Sequence, residues 1–330
     1  MQENRPVYRN YYDQKDAANS FLLAVVSPYI ILFFALFVGY MVYVAMGKST
    51  DTISSALWFE ILASILTPLT LLAVFLIYNK AKRISFSASN VKFKLNFPTI
   101  LILILVAFLC VFGLQYLIYG IDLGLDAIGY KLSSTSLPLT NGGWYVLNLF
   151  VLAFLPAVCE ELIFRGIIFN GLRKNMKDIY AILLSATLFA LMHASLEQLV
   201  YPFILGLVFG WLVLRTKTIV SSMIVHFLNN AIVITISFIY QMIGFDFMPK
   251  TTWLFWVLAV VLALITFGVL FLLEMFYFNK KKKVEDNEEG KVQEETQDVS
   301  KAEKFPVITF VIGISIAAIL FIVNTIFAFI

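Results

Sequence analysis

Six polar side chains interrupt stretches of the sequence that are otherwise apolar, and their chemical types suit hydrolysis. They are Glu160, Glu161, Arg165, His193, His226 and Asn230. A carboxylate and a histidine that face one cavity can hold a water molecule and remove its proton. A second histidine and an amide can donate hydrogen bonds to the oxyanion that forms when this water attacks a carbonyl carbon. We therefore expect a site that hydrolyses a peptide bond or another acyl bond.

Helical spacing divides these residues by role. Residues four apart lie on one face of a helix, so Glu161 can pair with Arg165 and neutralise a charge that a membrane interior would reject. Glu160 points about 100° away from Glu161 and is the carboxylate left for chemistry. His226 and Asn230 are also four apart and can present two polar groups from one face.

The composition predicts that these residues lie inside a membrane protein. The chain has 330 residues, of which 61% are hydrophobic and 14% are charged, whereas soluble domains carry about 25% charged residues. We expect an all-α, polytopic transmembrane helical bundle with about nine spans. The predicted spans are 21–46, 53–78, 98–119, 144–172, 179–194, 199–214, 219–243, 253–278 and 306–330. The fifth and sixth spans are short, and Gly206 and Gly210 in the sixth form a G-x-x-x-G that suits close helix packing.

The distribution of Lys and Arg predicts the orientation of the bundle. With the N-terminus in the cytoplasm, 20 of the 24 Lys and Arg fall in cytoplasmic segments, and Arg165 falls within a span. Only Lys48, Lys131 and Lys250 would lie outside. Because cytoplasmic loops carry an excess of Lys and Arg, we expect a cytoplasmic N-terminus. Nothing in the sequence resembles a nucleic-acid-binding stripe, so the expected partners are membrane lipids and a membrane-associated substrate.

Depth places the polar residues in one slab of the membrane. Counted at roughly 1.5 Å per residue from the predicted cytoplasmic helix ends, Glu160, His193, His226 and Asn230 lie about 12 to 22 Å deep. Three separate helices thus agree in depth, which scattered structural polar groups have no reason to do. We expect a site nearer the cytoplasmic leaflet and reached from the cytoplasmic side.

Five regions are predicted along the chain. Residues 1–143 hold a cytoplasmic segment and three spans, and residues 144–243 form the core that carries the polar residues. A further span occupies 244–278. The charged segment 279–304 is expected to be a disordered cytoplasmic linker, and 305–330 form the final span.

A metal site is an alternative interpretation of the same polar side chains. Glu160, His193 and His226 could bind a divalent ion such as zinc, which would lower the pKa of a bound water directly. The sequence contains no H-E-x-x-H, so the usual zinc-protease helix is absent, and no cofactor is certain. Cys159, next to Glu160, is expected to be a packed thiol rather than a nucleophile.

Three motifs in order give the chain a family resemblance. They are E-E-x-x-x-R at 160–165, F-x-x-x-H at 189–193 and H-x-x-x-N at 226–230. This set resembles the CPBP family, which comprises CAAX prenyl endopeptidases of the Ras-converting type and bacteriocin-processing or Abi proteins. The resemblance covers about 144–243, and the flanking spans match only in being hydrophobic.

The resemblance implies an intramembrane endopeptidase, historically called a metalloprotease and more recently described as glutamate-dependent. Carried over to this sequence, Glu160 and His193 would activate water, and His226 and Asn230 would form the oxyanion hole. Glu161, Arg165 and Phe189 would support them.

Two other functions stay open from the sequence. Glu and His inside a membrane can also form a proton relay in a transporter, although no inverted repeat is visible. A binding or bacteriocin-immunity protein could keep the fold without turnover, since family members are tied to self-immunity. A bacterial plasma membrane is the expected location, and the substrate is a membrane-associated protein or peptide.

Overall fold

The computed structural model describes residues 8–47, 49, 53, 56–131, 137–244, 253–279 and 305–329. These residues form one short 3₁₀ helix, Phe86–Ser89, and nine longer helices. We name them α1 (Gln14–Ala45), α2 (Leu57–Lys82), α3 (Phe97–Ala127), α4 (Gly142–Arg173), α5 (Asp178–Met192), α6 (Val200–Thr216), α7 (Val220–Ile243), α8 (Trp253–Phe278) and α9 (Val307–Phe329). Besides helices, the described residues contain one isolated β-bridge between Arg9 and Ile84.

The predicted all-α membrane bundle is confirmed. Seven of the helices are long and apolar enough to cross a membrane, while α5 and α6 are shorter apolar helices, as the sequence indicates. The charged linker predicted at 279–304 lies outside the described residues except for Asn279.

Helix α1 begins seven residues before the predicted span, and a capping box explains the difference. The Asp13 side chain accepts from the Asp16 N–H, and the Asp16 side chain accepts from the Asp13 N–H, both over 2.9 Å. This reciprocal arrangement satisfies two backbone donors at a helix start. The first turns are therefore helical although they are polar, and hydropathy alone does not detect them.

Successive helices alternate in direction, so their ends meet at two faces. At one face, which we call the basic face, the chain between α2 and α3 meets the chain between α6 and α7. There the Thr218 hydroxyl donates to the Lys92 carbonyl over 2.7 Å. At the opposite face, which we call the second face, the Lys131 N–H donates to the Ala328 carbonyl over 2.7 Å. Among the described residues, the Lys and Arg predicted to be cytoplasmic lie on the chain segments of the basic face. That this face is cytoplasmic stays a prediction.

Small residues allow the short helices to approach the core closely. A Cβ atom on Gly206 would lie 2.8 Å from the Cα of Ala186, so α6 packs directly on the backbone of α5. Gly210 lies one turn further along α6, against Ile182. The hairpin of α5 and α6 is thereby held against the remaining helices, and its tip lies within the bundle.

Candidate active site

Helix α4 carries both glutamates between two π-helical segments. Leu149–Phe154 and Leu162–Phe169 are π-helical, and the α-helical stretch Leu155–Glu161 lies between them. Each π-turn changes the rotational phase of the side chains that follow, and such turns are frequent at functional sites. The direction of Glu160 and Glu161 relative to the rest of α4 therefore depends on these turns.

Pro156 frees a carbonyl in α4, and Asn230 supplies the donor that the carbonyl has lost. Proline has no N–H, so the Leu152 carbonyl, which would accept from residue 156 in an α-helical turn, receives no hydrogen bond from it. The Asn230 amide of α7 donates to this carbonyl over 3.1 Å. Asn229 donates to the Asn230 side-chain oxygen over 3.2 Å, and the Tyr201 hydroxyl donates to Asn229 over 2.6 Å. This polar chain fixes the orientation of the Asn230 amide.

Glu161 and Arg165 form an ion pair that is fully buried. Arg165 Nη1 lies 2.7 Å from Glu161 Oε1, and both side chains have no exposed area. Arg165 Nη2 also donates to the Gly206 carbonyl over 3.2 Å. The guanidinium carbon lies 4.5 Å and 5.0 Å from the ring centroids of Phe189 and Phe209, so aromatic faces add a cation–π contribution. The pair is thus surrounded by protein and shielded from the bilayer.

His226 lies between the two glutamates. Its Nδ1 is 3.3 Å from Glu161 Oε1, and its Nε2 is 3.9 Å from Glu160 Oε2. An ionised carboxylate only accepts hydrogen bonds, so the contact with Glu161 requires a proton on Nδ1 and orients Nε2 toward Glu160. The ring is stacked on Phe209, with centroids 5.1 Å apart. Glu161 therefore positions His226 in addition to pairing with Arg165, a role that helical spacing alone did not indicate.

His193 ends α5 and has a defined hydrogen-bonding direction. Its Nδ1 lies 2.8 Å from the Phe189 carbonyl. A carbonyl only accepts, so Nδ1 carries the proton and Nε2 of the neutral ring is an acceptor. The Phe189 ring contacts the His193 ring at 5.0 Å between centroids and the His226 ring at 6.0 Å. The phenylalanine of the F-x-x-x-H motif thus supplies both a carbonyl and a ring that separates the histidines.

The final helix reaches the turn that follows His193. Ala194 has a φ of 50°, a left-handed conformation that is uncommon for residues other than glycine. The Asn324 amide of α9 donates to the Ala194 carbonyl over 2.9 Å. Helix α9 itself packs closely on α1, because a Cβ on Gly313 would lie 2.9 Å from the Phe21 ring. An amide in an apolar span was the available sequence signal for Asn324, but no motif drew attention to it.

All four residues predicted to be catalytic line one cavity of about 660 Å³. They are Glu160, His193, His226 and Asn230, and Phe189 lines the same cavity. The Glu161–Arg165 pair does not line it. The structure therefore separates the six polar residues into four that a substrate could contact and a buried pair that supports them.

The cavity extends from these residues toward the second face. Its wall includes Asp122, near the end of α3 at that face, and Glu197, in the turn between α5 and α6. Counted at roughly 1.5 Å per residue, Glu160 lies about 20 Å from the end of α4 at the basic face. Asp122 lies about 38 Å from the end of α3 at the same face. The sequence analysis predicts that substrate reaches the site from the cytoplasmic side, which corresponds to the basic face. The cavity instead extends from the site toward the second face.

A second, smaller cavity of about 250 Å³ meets the first at the glutamate. It shares Glu160, His193 and Gln198 with the larger cavity. The remaining wall comes mainly from apolar residues of α1 and α2, among them Pro28 and Leu71. Glu160 and His193 therefore stand between a larger cavity with several polar groups and a smaller, mostly apolar one.

The described residues do not form a metal-binding group. No three His, Cys, Asp or Glu side chains in this part of the chain are arranged to hold a metal ion, and this covers the set Glu160, His193 and His226. The geometry of these three residues does not fit a three-ligand site, so no step of the mechanism below is assigned to a metal.

Comparison with known proteins supports the class that the fold and site define. Residues 142–232 match the family model described as Type II CAAX prenyl endopeptidase Rce1-like. This segment begins with α4, ends within α7 and contains all three motifs. The resemblance to the CPBP family predicted from the motifs is confirmed for this segment, and the chain is an integral membrane protein with a CAAX-protease-like core.

One curated relative resembles 122 residues of the chain. It is the Bacillus subtilis (strain 168) protein named "Putative membrane peptidase YdiL", which is 29% identical over 122 residues. The match covers 37% of this chain and 47% of the relative, so the chain spans about half the length of that relative. No solved structure gives a significant match.

Proposed function

We propose that the protein is an intramembrane endopeptidase that cleaves a membrane-associated protein or peptide. The observation that carries this proposal is the common cavity of Glu160, His193, His226 and Asn230. A water-activating pair and an oxyanion-binding pair must face the same carbonyl group for acyl-bond hydrolysis. The family match supports the same class of reaction.

In the proposed reaction Glu160 is the general base. A water between Glu160 and the acceptor Nε2 of His193 loses a proton to the Glu160 carboxylate as its oxygen bonds to the substrate carbonyl carbon. The tetrahedral intermediate then collapses, the C–N bond breaks, and the proton on Glu160 passes to the leaving amine. The products are a carboxylic acid and an amine.

His226 and Asn230 hold the oxyanion in this scheme. The Asn230 amide uses one N–H for the Leu152 carbonyl, which leaves its second N–H for the substrate. Nδ1 of His226 needs its proton for Glu161, so Nε2 donates to the oxyanion only when the ring carries both protons. Placement of donors where charge develops is a large contribution to acyl-transfer catalysis.

The experiment that tests this function compares membranes carrying wild-type protein, Glu160→Gln and the control Asp122→Asn. Asp122 is a carboxylate of the same cavity that the mechanism does not use. Quantitative proteomics of new N-termini should reveal peptides formed by wild type and Asp122→Asn but not by Glu160→Gln. If the three membranes give the same termini, a binding or immunity role without turnover replaces the protease.

The proposed scheme predicts activity without a metal. Purified protein should retain cleavage after dialysis against a chelator and should contain less than one equivalent of transition metal by elemental analysis. Loss of cleavage on chelation, restored by zinc, would assign the water activation to a metal held by the same residues.

We further propose that the protein lies in a bacterial plasma membrane with the basic face in the cytoplasm. In that orientation the site is nearer the cytoplasmic leaflet, while substrate enters along the larger cavity from the opposite side. Labelling of single cysteines by an impermeant maleimide in intact cells tests which face lies outside the cell. Lys131→Cys should react and Lys82→Cys should not; the reverse pattern would invert the orientation.

A further inference from the structure

Another polar cavity, which we call the basic-face cavity, shares no lining residue with the catalytic cavity. It has a volume of about 650 Å³ and lies where the chain before α1, the chain after α2 and the end of α4 meet. Its polar side chains are Asn10, Tyr11, Tyr12, Ser87, Asn90, Lys92, Asn170 and Lys174. The family match begins at residue 142, so most of these residues lie outside the matched segment.

The side chains of this cavity are arranged as donors. Ser87 donates to the Asn10 side-chain oxygen over 2.5 Å, which leaves the Asn10 amide nitrogen as a donor. Asn90 and Asn170 are joined by a long contact of 3.4 Å, and Asn170 also donates to the Gly166 carbonyl over 3.0 Å. Asn90 has a φ of 56°, a conformation that Asn adopts more readily than most residues.

The cavity is positively charged. Lys174 Nζ lies 3.7 Å from the Tyr11 ring centroid, which holds the ammonium at the cavity wall. Neither Lys92 nor Lys174 forms an ion pair within the described part of the chain. The nearby acids Asp13 and Asp16 are both paired with Arg9, over 2.6 Å and 2.5 Å.

The pairing of Asp13 keeps its charge from opposing an anion. Burial alone would raise the pKa of the Asp13 carboxyl, but the Asp16 N–H and the Arg9 guanidinium outweigh burial and hold that pKa below its ordinary value. The Asp13 carboxylate is therefore ionised and directed at the Arg9 guanidinium, which it shares with Asp16. The two lysines remain as the charges that face the cavity.

Exposed aromatic residues place this cavity at the lipid surface. Phe93 lies in the chain between α2 and α3, Phe97 is the first residue of α3, and their side chains are 82% and 70% exposed. Large apolar side chains at the end of a membrane helix lie in the interfacial layer, with the neighbouring Lys side chains at the headgroups. Lys92 lies directly beside Phe93 in the chain. We therefore expect the cavity to lie at the depth where lipid phosphates occur.

We propose that this cavity binds the phosphate headgroup of an anionic phospholipid. Amide and hydroxyl donors together with two ammonium groups match a phosphodiester, which offers acceptor oxygens and one negative charge. Inorganic phosphate shares this chemistry, but the exposed Phe93 and Phe97 favour a ligand that is anchored in the bilayer. The site is independent of the proposed protease function, since none of its residues lines the catalytic cavity.

Native mass spectrometry of the purified full-length protein tests the proposal, with phosphatidylglycerol as the probe and phosphatidylcholine as the neutral lipid. The variant is Lys92→Gln with Lys174→Gln. The matched control is Lys82→Gln with Lys177→Gln, which removes the same charge from the basic face without altering the cavity. Wild type and control should retain phosphatidylglycerol preferentially, and the cavity variant should bind it more weakly, roughly fivefold for each lysine removed.

Three results would overturn the proposal. The cavity variant and the control could lose phosphatidylglycerol to the same extent, which would mean general attraction to the basic face. Phosphatidylcholine could bind as well as phosphatidylglycerol, which would exclude charge recognition. Inorganic phosphate could displace the lipid at equal concentration, which would identify a site for a soluble anion. If the double variant aggregates, the single variants Lys92→Gln and Lys174→Gln carry the same comparison.

Discussion

Replacing Pro156 by alanine, alone and together with Asn230→Ala, separates two roles that the structure gives to the Asn230 amide. The amide donates to the Leu152 carbonyl, which Pro156 leaves without a helical partner. It also lines the catalytic cavity, where its second N–H can reach an oxyanion. Alanine at 156 restores a backbone N–H that can donate to Leu152, so it replaces the first role and not the second.

The expected magnitudes follow from this hydrogen bond. Leaving a buried acceptor unsatisfied costs about 1 to 3 kcal/mol. Leu152 and Asn230 are both partly exposed to the cavity, so loss of the bond to Leu152 should contribute about 1 kcal/mol to the cost of Asn230→Ala in the Pro156 protein. With alanine at 156 this contribution disappears, and only the cost of leaving the Asn229 amide without its Asn230 acceptor remains. The coupling between the two positions is therefore about 1 kcal/mol, within the range known for residues in contact.

The assay is a double-mutant cycle read by two methods. Denaturant unfolding in detergent gives the coupling in stability, and cleavage of a substrate peptide gives the effect on rate. We expect Asn230→Ala to remain strongly impaired in cleavage whether residue 156 is proline or alanine. Recovery of cleavage in the double variant would refute the oxyanion role, and a coupling of zero would refute the assignment of Asn230 to the Leu152 carbonyl.

Further substitutions test the elements that support the site. Arg165→Met should destabilise the fold by about 3 to 5 kcal/mol, because Glu161 is then buried without its partner; thermal unfolding measures this, and a change under 1 kcal/mol would contradict the buried pair. Gly206→Leu should cost at least about 1 to 3 kcal/mol through overpacking against α5, whereas Gly268→Leu, which faces open space, should cost little in the same unfolding assay. Asn324→Leu should lower kcat more than it raises KM in peptide cleavage, since it removes the hydrogen bond to the Ala194 carbonyl in the turn after His193. An unchanged kcat would show that α9 does not help to position His193.

The sequence was sufficient for the all-α membrane fold, whereas the catalytic roles given to the polar residues stay predictions. Hydropathy located the seven long helices because a bilayer requires about 20 apolar residues per crossing, and it also indicated the shorter apolar α5 and α6. It placed the start of α1 late. The spacing of Glu161 and Arg165 was sufficient for their ion pair, since it depends only on one turn of helix. Placement of Glu160, His193, His226 and Asn230 in one cavity agrees with the shared depth of their helices.

Other features could not be obtained from the sequence. The π-helical turns of α4 depend on packing, and they change which way each glutamate points. The contact between His226 and Glu161 depends on how α7 is rotated against α4. Asn324 reaches Ala194 from a helix 130 residues away in the chain, and no local pattern relates such positions. The direction of the cavity likewise follows from the short α5 and α6, whose tip lies inside the bundle.

The most direct test of the account is the rate of peptide cleavage by purified Glu160→Gln protein beside Asp122→Asn. Both substitutions remove one carboxylate from the same cavity, and unfolding in detergent verifies that both proteins are folded. General-base catalysis contributes roughly 10²- to 10⁴-fold, so Glu160→Gln should fall by at least about a hundredfold while Asp122→Asn stays close to wild type. Cleavage by Glu160→Gln at the wild-type rate would contradict the assignment of Glu160 as the residue that activates water.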